Sequence, residues 1–546
     1  MKLSKYKIAK LSAAVCLSLV ILGSCKKGYL DINQNPNSAV EENIEPYALL
    51  PGALNTTANS VGTGYVFLMR WLGFVATSAG VAPSAEEESY NITTTFSTGS
   101  FNNVMDNAYD YQVMENKARA KGQTFYLGVA KIMKSFCFAR VVDAYNSIPY
   151  TEALQGLAHI APKYDEPKTI YEDLIKQIDS GITYIKGYDI GANPNAKTAD
   201  IMFGSEISGT TTTSHKTQWV KFANTLKLRI LMHQSNRADR ATYIQSEITK
   251  IVTEGSGFLV SNKSASVNPG YSQAQPNNYY ATFAFTTTGA DATQTRANKV
   301  VMGFLKADSD PRLGYFYRPV ATALPAGNAE PFVTPVPVNY RSNAYGLAID
   351  NAIYKNQTRA YVSKVGGVGS ASASSATSTG IIKGWDMRAW IITSIESLFL
   401  QAEAIAKGYM TGDAQTAYKN AVLESFIWLN VDASTTAATT NFNSWYASSS
   451  TNANVSYAAA TDKVKLIAYQ KYLTMVELDP LETWTDYRRN GAYPVIELSY
   501  NTARTSSKLP IRLLYPDTEI NYNTANVPAK GRVAGEQFSE SIWWMP

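Results

Sequence analysis

The cysteine at position 25 is the residue whose chemistry the sequence specifies most clearly. It ends the run Leu22-Gly23-Ser24-Cys25, after a start with four lysines and an apolar stretch over residues 11–22. A charged start, a short apolar core and small residues are typical of a secretory signal peptide. The ending resembles the bacterial lipobox, in which cleavage falls just before the cysteine and its thiol accepts lipid. We therefore predict a signal peptide over 1–24 and lipid attachment at Cys25. The alternative is a plain signal peptide that happens to contain a cysteine.

The segment that follows this cysteine is polar, with the sequence KKGYLDINQNPNS over residues 26–38. We predict that residues 25–38 form a flexible tether that holds a folded body, residues 39–546, outside the cytoplasm. No later stretch has the roughly 20 consecutive apolar residues that cross a bilayer. Lipid is therefore the only membrane anchor that the sequence offers.

The other residues with acid, base or metal chemistry form no recognisable catalytic pattern. His159, His215 and His233 lack metal-ligand spacing, so we predict no metal site and no cofactor. His233 ends an apolar helix, where a positive charge is favourable, and this explains the residue as well as a metal would. Glu86-Glu87-Glu88 is the only acidic cluster. Glycoside hydrolysis needs two carboxylates about 5–10 Å apart across a cleft, which adjacency does not establish. A solvated loop is the preferred interpretation, and we predict no catalytic residue.

Cys137 is the one cysteine left in the body, since Cys16 lies in the predicted signal peptide. Its surroundings, SFCFARVV, are apolar and typical of a helix. We predict a buried, inert thiol there and not a nucleophile.

Composition narrows the class of partner. The chain has 546 residues and a formal net charge of +5, but the four lysines of residues 1–24 account for most of this excess. A nearly neutral body does not favour nucleic acid as a partner. The 35 tyrosines and 9 tryptophans favour surfaces that stack on polar, uncharged ligands.

Periodic apolar residues predict a mainly α-helical fold. Regular helices are expected mainly over 103–253 and 387–490, including single helices over 123–145, 219–232, 387–411 and 413–430. The helix over 123–145 should bury one broad face. Asp165-Glu166-Pro167 should open another helix, with proline in its first turn. Periodicity fades over 255–385 and after residue 491, where we predict loop-rich insertions.

One helix pair carries the spacing of a tetratricopeptide repeat. Ala402 is a small residue in the first helix, and Ala414, Tyr418 and Ala421 follow at the spacing of the second helix. Small residues let two helices approach closely, and the aromatic ring fills the groove. An ordinary helical hairpin is the alternative.

Short motifs spread along almost the whole chain carry a family resemblance. They include Tyr29-Leu30-Asp31-Ile32-Asn33, Asn35-Pro36, Val142-Asp143, Ile148-Pro149-Tyr150-Thr151-Glu152-Ala153, residues 219–229, Asp310-Pro311-Arg312-Leu313, Ala402-Glu403-Ala404, Glu482-Thr483-Trp484, Tyr487-Arg488-Arg489-Asn490-Gly491, Leu509-Pro510, Tyr515-Pro516 and Trp543-Trp544. Their order resembles the SusD/RagB family of nutrient-binding outer-membrane lipoproteins of Bacteroidetes-type bacteria. The resemblance is closest to the branch whose ligand is often unassigned.

This resemblance implies a single SusD-like domain with four tetratricopeptide-type helix pairs and a loop-rich part that binds ligand. It implies a lipid-anchored protein at the cell exterior that binds a nutrient, expected to be an oligo- or polysaccharide. It also implies a partner, a SusC-type TonB-dependent outer-membrane transporter, and no enzymatic activity. The segment Lys26-Lys27-Gly28 departs from the family because it lacks the acidic run that often marks surface export.

Candidate ligand residues are aromatic and polar side chains in or beside the irregular segments, because a sugar ring stacks on aromatic faces and its hydroxyls bond to amides. They are Trp71, Tyr90, Phe96, Asn278, Tyr279, Tyr280, Tyr340, Arg341, Asn343, Tyr345 and Trp385. Each could instead belong to a small satellite core, and Trp71 leans most towards that role. Residues of the helix motifs are expected to be structural, with Arg488-Arg489 pairing with acids or capping carbonyls.

Two other functions stay open at this point. A surface glycan hydrolase would show convergent ionisable residues with perturbed pKa values in a cleft. A scaffold of helical repeats that holds other proteins would show no ligand pocket.

Overall fold

Helices account for most of the chain in the computed structural model. It describes residues 44–77, 84–284, 295–320, 339–347, 361–367 and 378–546. The predicted signal peptide, Cys25 and the predicted tether lie outside these residues. Most of the glycine- and serine-rich stretch at 364–380 also lies outside them. The longer helices are Pro46–Thr63, Gly99–Lys121, Thr124–Tyr145, Pro167–Gly187, Thr213–His233, Ala241–Glu254, Lys299–Ala307, Ser394–Ala406, Ala414–Trp428, Thr435–Ser448, Lys463–Met475 and Pro480–Arg489.

Short helices and strands lie between the long helices. The short helices are Val66–Trp71, Ala85–Ser89, Ala196–Ala199, Asn278–Phe283, Leu313–Phe316 and Asp517–Tyr522. Three antiparallel strand pairs join distant parts of the chain: Val75–Thr77 with Thr295–Ala297, Ile148–Pro149 with Tyr164–Asp165, and Ala265–Val267 with Ala389–Ile392. The mainly α-helical fold predicted from periodicity is confirmed.

The start of helix Pro167–Gly187 shows how local sequence sets a helix boundary. The Glu166 side chain accepts a hydrogen bond from the Thr169 backbone N–H at 3.1 Å. Pro167 occupies the first helical position, where its missing N–H costs nothing. The predicted opening at Asp165-Glu166-Pro167 is confirmed.

The helix expected over 387–411 begins later than predicted. Residues Ala389–Ile392 form a strand, and all four are buried. The helix begins at Ser394, where the Thr393 side chain accepts a hydrogen bond from the Glu396 N–H. Two adjacent isoleucines suit a pleated, buried strand. Pairing with Ala265–Val267 favours the strand over the predicted helix in this stretch.

Helix Thr124–Tyr145 lies at the centre of the array. Every residue in it except Thr124, Lys131 and Lys134 is buried. The predicted single buried face is therefore wrong, because helices Gly99–Lys121 and Pro167–Gly187 pack on it from two sides. Cys137 is a buried free thiol, and burial raises its pKa to about 12, as expected for an inert cysteine.

The predicted repeat spacing corresponds to a packed helix pair. Helices Ser394–Ala406 and Ala414–Trp428 contact each other along their length. Ala402, Tyr418 and Ala421 are fully buried, and the Tyr418 hydroxyl donates to the Val455 carbonyl at 2.6 Å. The arrangement is consistent with helical repeats of tetratricopeptide type.

Buried ion pairs tie the helices together. The pairs are Arg140–Asp479 at 2.9 Å, Arg229–Glu396 at 2.5 Å, Lys471–Glu482 at 3.0 Å and Arg489–Glu403 at 2.6 Å. Arg488 donates to the backbone carbonyls of Asp143 and Ile511. The predicted structural roles of Arg488 and Arg489 are confirmed.

Residues Pro46–Pro546 form one compact unit. The division of the chain into signal peptide, tether and a single domain over 39–546 stays a prediction. In the part of the chain that the structure describes, none of the helices combines the length and apolar character needed to cross a bilayer.

Candidate functional site

The candidate aromatics near the first loop pack against one another. The rings of Trp71 and Phe96 are stacked, with centroids 5.8 Å apart, and Tyr90 meets Trp71 edge-on at 5.7 Å. Tyr345, from a distant segment, lies 6.5 Å from Tyr90. Trp71, Tyr90 and Tyr345 are buried, and Phe96 keeps part of its surface. This group therefore resembles a satellite core more than an open platform.

The acidic cluster beside these rings is not a solvated loop. Residues 85–89 form a short helix, and Glu87 and Glu88 are buried. The Glu87 carboxylate accepts hydrogen bonds from Arg70 Nη2 at 2.7 Å and from the Tyr345 hydroxyl at 2.8 Å. Burial raises the pKa of Glu88. The solvated interpretation was wrong because Arg70 and Tyr345 supply donors from remote segments.

The candidates at 340–343 hold their own segment against the body. The Asn343 amide donates to the Thr77 carbonyl at 2.8 Å, and Arg341 Nε donates to the Tyr361 carbonyl at 2.7 Å. Tyr340 and Arg341 are buried, whereas Asn343 is half-buried. The contacts that the structure shows for these residues therefore hold their own segment in place.

The candidates at 278–280 lie close to Trp385. The Asn277 backbone N–H donates to the Trp385 carbonyl at 2.8 Å. Tyr279 is buried, and its hydroxyl donates to Glu477, whose pKa burial raises well above the usual value. Asn278 is exposed and bonds to Thr63, while Trp385 is half-buried.

Exposure divides the eleven candidates into two sets. Five keep surface that a ligand could reach: Phe96, Asn278, Tyr280, Asn343 and Trp385. Six have side chains that face the interior: Trp71, Tyr90, Tyr279, Tyr340, Arg341 and Tyr345. Ligand contact by any of them stays a prediction.

A cavity of about 420 Å³ lies where the loop-rich insertion ends and the helical array resumes. We call it the tryptophan cavity. It is lined by Met202, Phe203, Ser205, Glu206, Gln218, Asn262, Lys263, Ser264, Ser266, Lys383, Met387, Arg388, Trp390, Ser394, Ile427 and Trp428. Five separate segments supply these residues: the turn after residue 201, helix Thr213–His233 through Gln218, the strand region around Ala265–Val267, residues 383–394 and the end of helix Ala414–Trp428.

Aromatic rings form one side of the tryptophan cavity. Trp428 is half-buried and meets Trp390 edge-on, with ring centroids 5.5 Å apart. The Trp390 indole N–H donates to the Leu478 carbonyl at 2.6 Å, which fixes the ring in the strand Ala389–Ile392. An indole face of this kind can pack on the C–H groups of a ring-shaped ligand.

Amides and hydroxyls also line the tryptophan cavity. Four of the lining residues are serines, and Gln218 and Asn262 contribute carboxamides. The Gln218 amide oxygen is buried and has no hydrogen-bond partner among the residues that the structure describes. A buried acceptor without a partner is costly, and a ligand hydroxyl could satisfy it.

Three cations and one carboxylate line the tryptophan cavity. Lys383 donates to the Trp428 carbonyl at 2.8 Å and lies 4.7 Å from the centre of the Trp428 ring. Burial lowers the pKa of Lys383 to about 8. Arg388 Nε donates to the Ser266 hydroxyl at 2.9 Å. Lys263 lies 3.5 Å from Glu206.

Sequence analysis missed both tryptophans of this cavity. Trp390 and Trp428 lie in stretches predicted as helices, whereas the predicted ligand residues lie in or beside the irregular segments. Trp428 is the last residue of its helix, so a tryptophan at a helix end beside an insertion is the pattern that could have found it.

A second cavity, of about 620 Å³, lies among helices Gly99–Lys121, Thr124–Tyr145 and Pro167–Gly187. Its lysines are already bonded within the protein: Lys131 donates to Gln177 at 2.6 Å, and Lys134 donates to Gln112 at 2.5 Å. Both lysines also form ion pairs with Glu115. This cavity is larger, but its lysines are already hydrogen-bonded or ion-paired within the protein.

A family model described as "Starch-binding associating with outer membrane" (SusD-like) matches residues 37–516. The chain belongs to the SusD-like family. The family resemblance seen in the scattered motifs is therefore confirmed. No match was found among curated proteins.

Solved SusD-like structures share the fold of this SusD-like protein. A SusD homolog from Bacteroides fragilis is 20% identical, with a TM-score of 0.69 over 92% of this chain and 99% of that one. A SusD/RagB family protein from Bacteroides thetaiotaomicron is 19% identical, with a TM-score of 0.66 over 92% and 99%. A chitin-binding protein is 20% identical, with a TM-score of 0.68 over 92% and 100%. At these identities the likeness shows the fold alone.

Proposed function

We propose that this SusD-like protein is a lipid-anchored outer-membrane protein that binds a glycan nutrient in the tryptophan cavity. It then passes the glycan to a SusC-type TonB-dependent transporter. The observation that carries the proposal is the cavity itself, which combines indole faces with hydroxyls and amides in a chain of a starch-binding family. A solved structure of the same fold is a chitin-binding protein, which supports a carbohydrate as ligand.

The chemistry of the lining suits a sugar. A pyranose ring presents C–H groups on its faces and hydroxyls around its edge. Trp428, which keeps part of its surface, can contact a face, while Gln218 and Asn262 supply polar groups for edge hydroxyls. The volume of about 420 Å³ accommodates a short stretch of an oligosaccharide.

The scarcity of carboxylates in the cavity lining favours binding over hydrolysis. Glu206 is the one carboxylate among the lining residues. A hydrogen bond from the Ser214 hydroxyl, with Lys263 adding to it, lowers the pKa of Glu206. A general acid of a glycosidase needs a raised pKa and a second carboxylate opposite it. The presence of a ligand-sized cavity also favours a binding protein over a pure scaffold.

Location and partner rest on sequence and family. The predicted lipid on Cys25 would hold the body at the outer membrane, and the tether over 25–38 would let it reach a neighbouring barrel. Exposure at the cell exterior and association with a SusC-type transporter belong to the proposal.

Titration of the purified full-length protein tests the binding role. Neutral and acidic oligosaccharides and short peptides would be added while tryptophan fluorescence is followed, and each mixture would then be chromatographed. We expect a glycan to change the fluorescence saturably and to be recovered unchanged. Hydrolysed products would overturn the binding role, and binding of peptides alone would overturn the glycan assignment.

Affinity purification from the native membrane tests the partner. We expect a TonB-dependent barrel to copurify in near-equal amount, and to remain after a salt wash. Recovery of the protein without any barrel, from membranes that contain one, would contradict delivery to a transporter.

A further inference from the structure

Two cations of the tryptophan cavity have no acidic counterpart. Among the residues that the structure describes, neither Lys383 nor Arg388 forms an ion pair with a carboxylate. In the helical array, buried Arg229 and Lys471 are each paired with glutamate, whereas Arg488 donates to backbone carbonyls. Lys383 is half-buried and Arg388 is exposed, so the unpaired charge costs free energy mainly at Lys383, where a ligand anion could recover it.

The ammonium group of Lys383 is placed for such a contact. Of its three N–H donors, one is used by the Trp428 carbonyl at 2.8 Å. It also lies over the Trp428 ring, 4.7 Å from the ring centre. A substituent on a sugar ring packed at this tryptophan would therefore lie beside the ammonium.

Arg388 supplies a second cation on the neighbouring part of the same segment. Its Nε donates to the Ser266 hydroxyl at 2.9 Å, and its Nη2 donates to the carbonyls of Ile201 and Met202 at 3.2 and 3.3 Å. These bonds fix the guanidinium with neutral partners. The negative charge of Asp200 attracts the Arg388 guanidinium, but the Asp200 carboxylate is already hydrogen-bonded to Trp219 and His215.

Glu206 and Glu424 lie at or next to the cavity, and Asp386 lies between the two cations in sequence, but none of them forms an ion pair with Lys383 or Arg388 among the described residues. Glu424 Oε2 is buried without a hydrogen-bond partner there. Glu206 accepts a hydrogen bond from Ser214 and lies 3.5 Å from Lys263. Glu424 lies behind Ser394 and accepts hydrogen bonds from the Ser394 hydroxyl at 2.6 Å and the Asn262 N–H at 3.0 Å. Glu424 is buried and is not part of the lining. Lys383 and Arg388 are therefore the lining cations without an ion pair among the described residues.

We propose that the tryptophan cavity selects sugars that carry a carboxylate, the uronic acid class, with Lys383 as the main contact of the acid group and Arg388 as the second. The inference rests on the proposed glycan binding at this cavity and names its ligand class. Burial lowers the pKa of Lys383, because no carboxylate beside it stabilises the charged form, and this supports the same assignment.

The test compares acidic oligosaccharides with their own methyl esters, which keep the shape and remove the charge. The probes are short oligomers of galacturonate, glucuronate and mannuronate, their methyl esters, the neutral oligomers of the same sugars and one sulfated oligosaccharide. Each would be titrated into the full-length protein by calorimetry. We expect at least one uronate to bind about tenfold more tightly than its ester, as a charge-assisted hydrogen bond would give.

Two matched variants assign the preference to a residue. Lys383→Met should remove most of the tenfold preference, and an unfolding midpoint close to that of the wild-type protein would show that the variant is folded. Lys250→Met removes an exposed lysine that pairs with Glu247 and is not part of the cavity lining, and it should leave the preference intact.

The outcomes separate this inference from the proposed function. Equal affinity for acid and ester, tighter binding of neutral or sulfated probes, or a preference that survives Lys383→Met overturns the uronate assignment and leaves glycan binding standing. Binding of none of these sugars overturns the uronate assignment, and the proposed function is overturned as well if the wider panel of oligosaccharides also fails to bind.

Discussion

At the scale of single residues, exposure decides which aromatic rings can serve a ligand. Trp428 is half-buried at the cavity, whereas Trp71 and Tyr90 are enclosed by neighbouring rings. Trp385 is also half-buried, but it contacts the segment at Asn277 and is not part of the cavity lining. The two half-buried tryptophans therefore mark two competing locations for the ligand.

We predict that Trp428→Ala weakens glycan binding about tenfold or more, because it removes an aromatic surface at the cavity wall. Trp385→Ala should change the affinity less than twofold. Isothermal titration of both variants with the same bound sugar measures the difference. A larger loss in the Trp385 variant would move the site to the surface beside residues 277–280.

His233 shows how burial and charge compete at one residue. Its Nε2 lies 2.8 Å from Glu482, and its Nδ1 lies 3.4 Å from Asp143 and 3.2 Å from the Tyr171 hydroxyl. Burial alone would lower the pKa of His233, but the carboxylates of Glu482 and Asp143 outweigh it and raise the pKa to about 9. The residue was expected to act through the charge of a helix end, and the structure adds these two carboxylates.

This raised pKa predicts a pH-dependent stability. A proton binds more tightly to folded His233 than to an unfolded histidine, whose pKa is about 6.5, so its contribution is complete below pH 6.5. It is lost as the pH rises through 9. The contribution is roughly 3 kcal/mol at most, from about 1.4 kcal/mol for each pKa unit.

Chemical unfolding of the wild-type protein and His233→Gln at several pH values checks this. The variant should be clearly less stable at pH 6, and the difference in unfolding free energy should shrink towards pH 9.5. A difference that is constant over this range would show that the charge of His233 contributes nothing.

At the scale of elements, two helices pack closely where both carry glycine, because glycine has no side chain. Helices Thr124–Tyr145 and Pro167–Gly187 approach each other at Gly128 and Gly181. A Cβ atom on Gly181 would lie 2.6 Å from Ile132 Cγ1 and 2.9 Å from the Gly128 carbonyl oxygen. Gly187, at the end of the same helix, has open space around its Cα.

We predict that Gly181→Ala lowers the free energy of unfolding by about 1–3 kcal/mol, because the added methyl group overpacks the helix contact. Gly187→Ala should be neutral or stabilise the protein by up to about 1 kcal/mol, since alanine restricts the unfolded chain. Guanidinium unfolding of both variants measures these changes. Equal effects of the two substitutions would mean that the helices can separate without cost.

At the scale of the whole molecule, attachment and ligand capture belong to different parts of the chain. Residues Pro46–Pro546 form the compact unit that contains the tryptophan cavity. The predicted anchor at Cys25 precedes this unit. The proposed lipid can therefore be removed without altering the ligand site.

Cys25→Ala should release the protein from the membrane fraction, because the thiol that accepts lipid is lost. Cys16→Ala changes a cysteine within the predicted signal peptide and should leave the protein membrane-bound. Fractionation of cells and immunoblotting distinguish the two. Sedimentation of the Cys25 variant with the membranes would refute the lipid anchor.

The sequence alone was enough for the features that depend on local chemistry. The apolar periodicity located the long helices, Glu166-Pro167 marked a helix start, and the motifs indicated the family. These features follow from side-chain spacing and capping within about twenty residues, which any stretch of sequence displays directly.

Tertiary structure alone decided which polar and aromatic side chains face solvent. Tyr279 is buried against Glu477, and Glu87 accepts a hydrogen bond from Tyr345, across distances in sequence that no local pattern reveals. Trp390 and Trp428 form one cavity only because the strand Ala389–Ile392 pairs with Ala265–Val267 beside a helix end. Burial depends on what remote segments place next to a residue, and a list of residues in order does not contain that information.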